Sequence, residues 1–374
     1  MRLVTTLMVR DEADIVGAML THQREQGIDH VVVTDNASVD GTVDILREFE
    51  RDGFITLWHD PEHRKQQYRV VTRMARYAAT ELGADWVINA DADEFLVARD
   101  PARTVRDVLS ATPATADVLC VPVVNLTGDA ARAGSGIERL TLRDLRDQRA
   151  LADAGIPFHP TPDAIHRGNA EVEVSQGNHA ASAPGWAPAV MSEELEVLHL
   201  PWRSWRQYEY KVRVSGEAYQ ANPELAPSPR HHGMLDFRRL QQGRLEPTYV
   251  AKHPTADEVA AGLADGTLAT EGRLTGLDAT AWPGRVDDVP YSPAERERLL
   301  GLGRQFRVVE LAGEAEAARI QAAHDVAVAQ RDSAFETNRE LAQQVEDMRR
   351  RRVVRLVDRI STELHRRPKR RSAD

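Results

Sequence analysis

Three carboxylates stand close together in the stretch VINADADEF, residues 87 to 95. Asp91, Asp93 and Glu94 follow an apolar run that is typical of a buried strand, and like charges at this spacing raise one another's pKa values unless something positive neutralises them. Hard oxygen ligands of this kind suit Mg²⁺ or Mn²⁺, which uses one or two protein carboxylates and fills its other positions with water and substrate phosphates. The motif therefore predicts a divalent metal at Asp91 and Asp93 that also binds a nucleotide diphosphate. Alone, the same acids could equally cap the next helix and face solvent.

The segments around the motif predict an α/β fold with a mixed, mainly parallel sheet. Four strand-like runs, at residues 2 to 9, 31 to 33, 53 to 58 and 85 to 95, alternate with segments of helical periodicity. Strands separated by helices of this length pair in parallel, and such sheets bind ligands at the carboxyl ends of their strands. Asp35 follows the second strand and Asp91 follows the fourth. We therefore expect both acidic loops to open onto one edge of the sheet.

Composition and charge exclude several classes of protein. The chain has 374 residues, of which 42% are hydrophobic and 28% charged, and it contains no uninterrupted apolar run long enough to cross a bilayer. Cys120 is the single cysteine, so no internal disulfide can form, and the first residues lack the pattern of a secretory signal. These features predict a cytoplasmic protein. The net charge of −10 disfavours nucleic acid as a partner.

The C-terminal part of the chain has a different character. Residues 311–348 contain no proline and are rich in Ala, Glu and Gln, which predicts one long helix that could pair as a coiled coil and form a homo-oligomer. Residues 349–374 carry 11 basic residues against three acidic ones. Val353, Val357, Ile360 and Leu364 recur at spacings of four, three and four, so a helix here would be basic and amphipathic. Such a helix can lie on an anionic membrane surface.

The first 125 residues resemble the type A glycosyltransferase (GT-A) fold, and in particular family 2-like glycosyltransferases. The resemblance rests on three stretches in order: MVRDEADIV, then GIDHVVVTDNASVDGT, then DWVINADADEF. Weaker matches to a bacterial subgroup of these proteins extend it to about residue 220, through IHRGN, SQGNH and VLHLPWRSWRQYEYKVRVSGEAY. The resemblance implies a GT-A fold and transfer of a hexosyl group from a nucleotide-sugar donor.

The resemblance also implies roles for the two acidic loops. The loop that carries Asp35 and Asp40 is expected to hold the nucleotide base and ribose. Asp91 and Asp93 are expected to hold Mn²⁺ or Mg²⁺ together with the donor diphosphate. Arg73 or Arg76, on the preceding helix, could balance phosphate charge or could simply be part of a solvated helix face.

The second half of the resembling region should supply the remaining chemistry. Family 2 resemblance implies an inverting reaction with an acidic catalytic base, but no clear Glu-Asp pair stands in this half. The candidates are Asp163, Glu171, Glu173 and, less conventionally, His179. His199, in VLHLPW, is a candidate third metal ligand, since imidazole accepts Mn²⁺. Each histidine could equally be a structural hydrogen-bonding residue.

Together these features predict five segments and one activity. The segments are a nucleotide-sugar-binding half at 1–125, an acceptor-side half at 126–222, a mixed extension at 223–310, the long helix at 311–348 and the basic tail at 349–374. The activity is transfer of a sugar to a saccharide or lipid-linked acceptor in cell-surface polysaccharide synthesis, at the inner face of the cell membrane. One alternative is a non-catalytic GT-A-like scaffold. Another is an aspartyl phosphatase, which Phe95 and the position of the motif at the fourth strand disfavour.

Overall fold

A computed structural model describes residues 1–61, 67–156, 158–221, 232–275, 277 and 286–365. The chain divides into two compact units, Met1–Arg307 and Val308–Asp374. Part of the predicted extension at 223–310 and the last nine residues of the predicted tail lie outside the described residues. Among the described residues, no helix combines the length and apolarity needed to span a bilayer.

The described helices are of very different lengths, and the last is by far the longest. In chain order they are α1 (Val16–Glu25), α2 (Thr42–Arg51), α3 (Gln67–Thr80), α4 (Val105–Ala111), α5 (Gln148–Asp153), α6 (Trp205–Ala221), α7 (His232–Gln241), α8 (Leu245–Lys252), α9 (Ala256–Asp265) and α10 (Pro293–His365).

The described strands are mostly short. In chain order they are β1 (Leu3–Val9), β2 (His30–Asp35), β3 (Ile55–His59), β4 (Trp86–Ala90), β5 (Glu94–Ala98), β6 (Val118–Val121), β7 (Val123–Thr127), β8 (Ala131–Ala133), β9 (Leu142–Asp144), β10 (Asp163–Arg167), β11 (Glu173–Val174), β12 (Ala181–Ser182), β13 (Val190–Met191), β14 (Leu195–His199), β15 (Leu268–Thr270) and β16 (Val289–Pro290).

The predicted mixed, mainly parallel sheet is confirmed. Within the described residues its strand order is β13-β6-β10-β4-β1-β2-β3. Strands β1 to β4 pair in parallel, as the alternation of strands and helices predicts, while β10 runs antiparallel between β4 and β6. Because β10 comes from the second predicted half, the 1–125 and 126–222 segments share this sheet.

The register of the sheet brings the predicted loops to one edge. Val9 pairs with Asp35 and Asp35 pairs with His59, while Leu7 pairs with Ala90, so β1 to β4 end at nearly the same level. Strand β10 enters the sheet from that level because it is antiparallel, with Ile165 opposite Ile88. Its first residue, Asp163, is thereby placed beside the end of β4.

A second sheet, within the described residues, contains β5, the strand that follows the acidic motif. Its order is β15-β9-β7-β14-β5. In this sheet the last residue of β14, His199, lies opposite Glu94 on one side and Asn125 on the other. The turn between β4 and β5 therefore joins the two sheets at the acidic motif.

Apolar side chains pack on both faces of the main sheet. On β1, Leu3 and Leu7 point into the larger core cluster, whereas Val4 points into a second cluster with Met74 of α3. This alternation follows from the period of two along a strand. A third cluster, around Tyr249, holds α6 to α8 together. The packing fixes the strand ends and thus the loops that follow them.

The long C-terminal helix predicted at 311–348 is confirmed and extends beyond both predicted ends. It runs from Pro293 to His365, with proline at its first position, where the missing N–H is not needed. From residue 329 to residue 363 every side chain is exposed.

Candidate active site at the carboxyl edge of the sheet

The acidic motif forms a tight turn between two strands. Strand β4 ends at Ala90 and β5 begins at Glu94, and the Glu94 N–H donates to the Asp91 carbonyl at 3.1 Å. Phe95 is fully buried in the core and anchors the start of β5. The turn therefore places three carboxyl groups at one point, as the sequence predicts.

Asp93 is neutralised by two cations from the chain itself. Its carboxylate accepts from Lys211 Nζ at 2.8 Å and from Arg203 Nη1 at 3.2 Å. Burial by itself would raise the pKa of Asp93, but Lys211 and Arg203 outweigh it and hold that pKa well below its usual range. The sequence predicted that a metal would supply the positive charge at Asp93, whereas side chains of the protein supply it.

Arg203 is the centre of a buried ion cluster that the sequence did not reveal. It lies between β14 and α6, has no exposed surface, and pairs with Asp14 through Nε at 2.7 Å and Nη2 at 3.0 Å. It also contacts Glu12, which Lys211 approaches at 3.2 Å. The residues of the cluster are visible in the sequence, as an arginine within the apolar LPWRSW segment and as Glu12 and Asp14 in MVRDEAD. Nothing in either segment indicated that they meet.

Within the described part of the chain, the other carboxyls of the motif form no ion pair. Burial, and then the neighbouring Asp93, raises the pKa of Asp91 to about 7. Burial and Asp91 raise the pKa of Glu94 well above its usual value, and Glu94 shares a hydrogen bond with Asp163. Among the described residues, the Asp91 carboxylate accepts from two neutral donors, Gln67 and Asn178, each at 3.2 Å. A cation bound beside these acids would stabilise their ionised forms.

Asp163 and His179 are brought to this site, whereas the other base candidates are exposed elsewhere on the surface. His179 Nδ1 lies 3.1 Å from Asp163 Oδ1, and this hydrogen bond raises the pKa of His179. Asp163 is buried, while the His179 side chain is 43% exposed. Glu171 is exposed, and Glu173 on β11 pairs with Arg76 at 3.8 Å. Asp163 is therefore the base candidate that lies in contact with the acidic motif.

His199 is held in the form that a metal ligand requires. Its Nδ1 lies 2.9 Å from Oδ1 of the buried Asn125, which can only accept, so Nδ1 carries the proton and Nε2 keeps its lone pair. Burial lowers the pKa of His199, against the opposing effect of Asp93, and keeps the ring neutral. The predicted ligand thus has the right protonation state beside the motif.

The loop after β2 is organised around Asp35. Its buried carboxylate lies 3.2 Å from His59 Nδ1 and accepts from the Ser38 N–H at 3.3 Å. Asp40 instead accepts from Thr42, through the backbone N–H at 3.0 Å and the hydroxyl at 2.6 Å, and from the Ala13 N–H at 3.0 Å. The predicted nucleotide residue Asp40 therefore ties this loop to the one after β1.

Arg73 and Arg76 lie on α3, and each contacts a residue outside that helix. The Arg73 guanidinium stacks on the Trp58 ring at 4.5 Å from its centroid. Arg76 donates to the Val172 carbonyl at 2.8 Å. Neither contact brings its guanidinium to the acidic motif, so a phosphate role for either would require a change of side-chain position.

Backbone strain is concentrated in the loops of this edge. Within the described residues, three residues other than glycine have positive φ: Asp11 at 53°, Ala37 at 58° and Asn178 at 63°. Asp11 follows β1, Ala37 follows β2, and Asn178 contacts Asp91. Strain of this kind persists where surrounding structure enforces it and collects at functional sites.

The donor atoms around Asp91 fit a hard divalent cation. The side-chain oxygen of Asn178, Oδ1, is buried next to Asp91 and has no hydrogen-bond partner among the described residues. An amide oxygen and a carboxylate are ligands that Mn²⁺ accepts, and so is the Nε2 of His199, which lies opposite Glu94 in the pairing of β14 with β5. In the described part of the chain, no three His, Cys, Asp or Glu side chains are already arranged as a metal cage. A cation would therefore take few protein ligands and complete its shell from substrate.

The N-terminal part of the chain matches a known family. Residues 4–118 match the family model of glycosyltransferase family 92. This match supports the predicted class of enzyme, a glycosyltransferase, over the segment that carries both acidic loops. The narrower prediction, family 2, stays a prediction. No curated protein sequence matches the chain.

Two solved structures show a distant similarity to this chain. Residues 1–349 of S. aureus TarS, in complex with UDP, are 11% identical to this chain, with 75% of this chain and 90% of that chain covered and a TM-score of 0.35. Glucosyl-3-phosphoglycerate synthase from Mycobacterium tuberculosis, in complex with Mn²⁺, UDP and glucosyl-3-phosphoglycerate, is 14% identical, with 44% and 56% covered and a TM-score of 0.26. Both likenesses are distant.

Proposed function

We propose that the protein is a metal-dependent, inverting glycosyltransferase that moves a hexosyl group from a nucleoside diphosphate sugar to a hydroxyl of a saccharide or lipid-linked acceptor. The observation that carries the proposal is the meeting, at one sheet edge, of the strained Asp35 loop with a cluster of three acids, Asp91, Glu94 and Asp163, in which the pKa values of Asp91 and Glu94 are raised. The family 92 match over residues 4–118 supports it. Synthesis of cell-surface polysaccharide, at the inner face of the membrane, is the setting we propose.

Donor binding would use both loops. Asp35, which is buried and oriented by His59 and Ser38, would accept hydrogen bonds from the nucleoside. Asp91, the Asn178 amide oxygen and His199 would hold Mn²⁺ or Mg²⁺, which supplies a Lewis acid for the departing diphosphate. Lys211, whose side chain is 44% exposed, can reach solvent from its place on Asp93 and add positive charge near the same phosphates.

The reaction would be completed by Asp163 as catalytic base. The acceptor oxygen forms a bond to the anomeric carbon, the bond from that carbon to the diphosphate oxygen breaks, and the acceptor proton passes to the Asp163 carboxylate. His179 donates to Asp163 and would hold the carboxylate in position. The raised pKa of His179 favours its charged form, which keeps both ring nitrogens as donors and maintains the hydrogen bond to Asp163.

Isothermal titration calorimetry with nucleoside diphosphates, in the presence and absence of Mn²⁺, tests this proposal. We expect one nucleoside diphosphate to bind more tightly with Mn²⁺, and we expect Asp35→Asn to weaken that binding. Asp44→Asn is the matched control, because Asp44 is an exposed acid on α2. If no nucleoside diphosphate binds with or without Mn²⁺, the catalytic proposal fails. The ion pairs of Asp93 with Arg203 and Lys211 would then favour a non-catalytic scaffold.

A further inference from the structure

The last part of α10 presents a solvent-exposed apolar face. Val353, Leu356, Val357 and Ile360 have exposed fractions of 60%, 60%, 57% and 50%. Their spacings of three, one and three place them within roughly 100° of arc on a helix. A stripe of this width is what a helix normally buries, yet each of these side chains is open to solvent. The face therefore requires a partner.

Arginine surrounds this face and dominates its charge. Residues 349–363 hold six arginines and two acidic residues. On the helix, Arg351 and Arg355 lie opposite the apolar stripe, Arg350, Arg352 and Arg359 lie along its flanks, and Arg349 lies in line with it one turn before Val353. All are exposed. The segment thus has an apolar stripe with arginines along both flanks and on the opposite side.

The apolar stripe is not a continuation of the upstream seam. Leu341, Val345 and Met348, exposed by 51%, 43% and 55%, have the spacing of a coiled-coil seam. Seven residues after Val345 and Met348, the same seam reaches Arg352 and Arg355. Two copies joined along it would bring arginines together at the seam, which is repulsive. Two copies that bury the upstream seam would therefore leave the stripe outside their contact, and the stripe needs a different partner.

We propose that residues 349–365 are a membrane-surface helix, which lies on an anionic bilayer with Val353, Leu356, Val357 and Ile360 among the acyl chains. The arginines then lie at the level of the anionic headgroups, where each basic residue contributes about a fivefold increase in binding. An apolar stripe flanked by arginines matches a bilayer with anionic headgroups, whereas an apolar protein groove would offer the arginines no opposite charge. The inference is independent of the proposed activity, because it rests on α10 alone.

Co-sedimentation of the full chain with vesicles tests the inference. We expect the protein to pellet with phosphatidylcholine vesicles that also contain phosphatidylglycerol, and to remain in solution with phosphatidylcholine alone. High salt should release it, because the headgroup attraction is screened. Equal pelleting with both kinds of vesicle, or with neither, would overturn the proposal.

Matched substitutions on α10 locate the contact. Ile360→Ser should lower vesicle binding several-fold, whereas Ile320→Ser, at a 62% exposed isoleucine of the same helix, should leave it unchanged. Arg355→Gln should lower binding about fivefold, and Arg331→Gln should not. All four positions are exposed, so circular dichroism should show unchanged folding. The assignment would be refuted if the two isoleucine variants, or the two arginine variants, changed vesicle binding equally. If Ile360→Ser kept its vesicle binding but changed the mass of the protein in light scattering, the stripe would belong to a contact with a second copy.

Discussion

Replacing Arg203 by methionine removes the one cation that touches three buried or half-buried acids. The guanidinium pairs with Glu12, Asp14 and Asp93 and is fully buried. Methionine keeps the length and apolar volume of the stem but none of the five donors. The three carboxyl groups stay in place, and Lys211 remains to neutralise two of them, Glu12 and Asp93.

The expected cost is large because the partners cannot move into water. Breaking a buried ion pair by removal of one member costs roughly 3–5 kcal/mol, since a buried charge is left uncompensated. Native domains have a free energy of unfolding of about 5–15 kcal/mol, so the Arg203→Met variant should lose a large share of it. Arg213→Met is the control on the adjacent helix α6, because Arg213 is 41% exposed, pairs with the surface acids Glu209 and Glu217 and lies over the Tyr210 ring. Its effect should stay below about 1 kcal/mol.

Urea unfolding at two pH values provides the assay. In the wild type, the depressed pKa of Asp93 contributes stability above its unfolded pKa, and this contribution is lost as the pH falls toward the folded value. In Arg203→Met the carboxyl pKa values should rise above their unfolded values, so the variant loses stability as the pH rises. The gap between variant and wild type should therefore be wider at about pH 8 than at about pH 5. A loss no greater than that of Arg213→Met, or a gap that widens at low pH, would refute the electrostatic reasoning.

Three further substitutions separate the roles of the site. Asp91→Asn should raise the free energy of unfolding at about pH 8 and not at about pH 4, because the pKa of Asp91 is raised to about 7 and its stabilising proton is lost as the pH rises. The same difference between variant and wild type at both pH values would contradict this. Asn125→Leu should weaken Mn²⁺ binding by about 10- to 100-fold in calorimetry, since His199 loses the acceptor for Nδ1, while Asn125→Asp keeps it. Asp163→Asn should lower kcat by about 10² or more, and Glu171→Gln should leave kcat unchanged; the reverse order would move the base to Glu171.

Much of the fold follows from local patterns in the sequence. The alternation of apolar strands with amphipathic helices over the first 100 residues predicts parallel pairing, and the register of β1 to β4 confirms it. Because parallel strands end at the same level, the position of Asp35 and Asp91 along the chain was enough to predict a common edge. The absence of proline from 311 to 348 likewise predicts the long helix, now seen as Pro293–His365.

The partners of the carboxyl groups were decided by tertiary structure. Asp163 reaches the motif because β10 runs antiparallel between β4 and β6, which no local pattern near residue 163 indicates. Arg203 and Lys211 reach Asp93 because α6 begins where β14 leaves the second sheet. Contacts across about 110 residues depend on how the sheets pack, whereas periodicity reports only neighbours along the chain. The sequence by itself therefore determined that three acids would gather at one edge, and only the tertiary structure decided that Asp93 is neutralised by the chain while Asp91 accepts from the neutral donors Gln67 and Asn178.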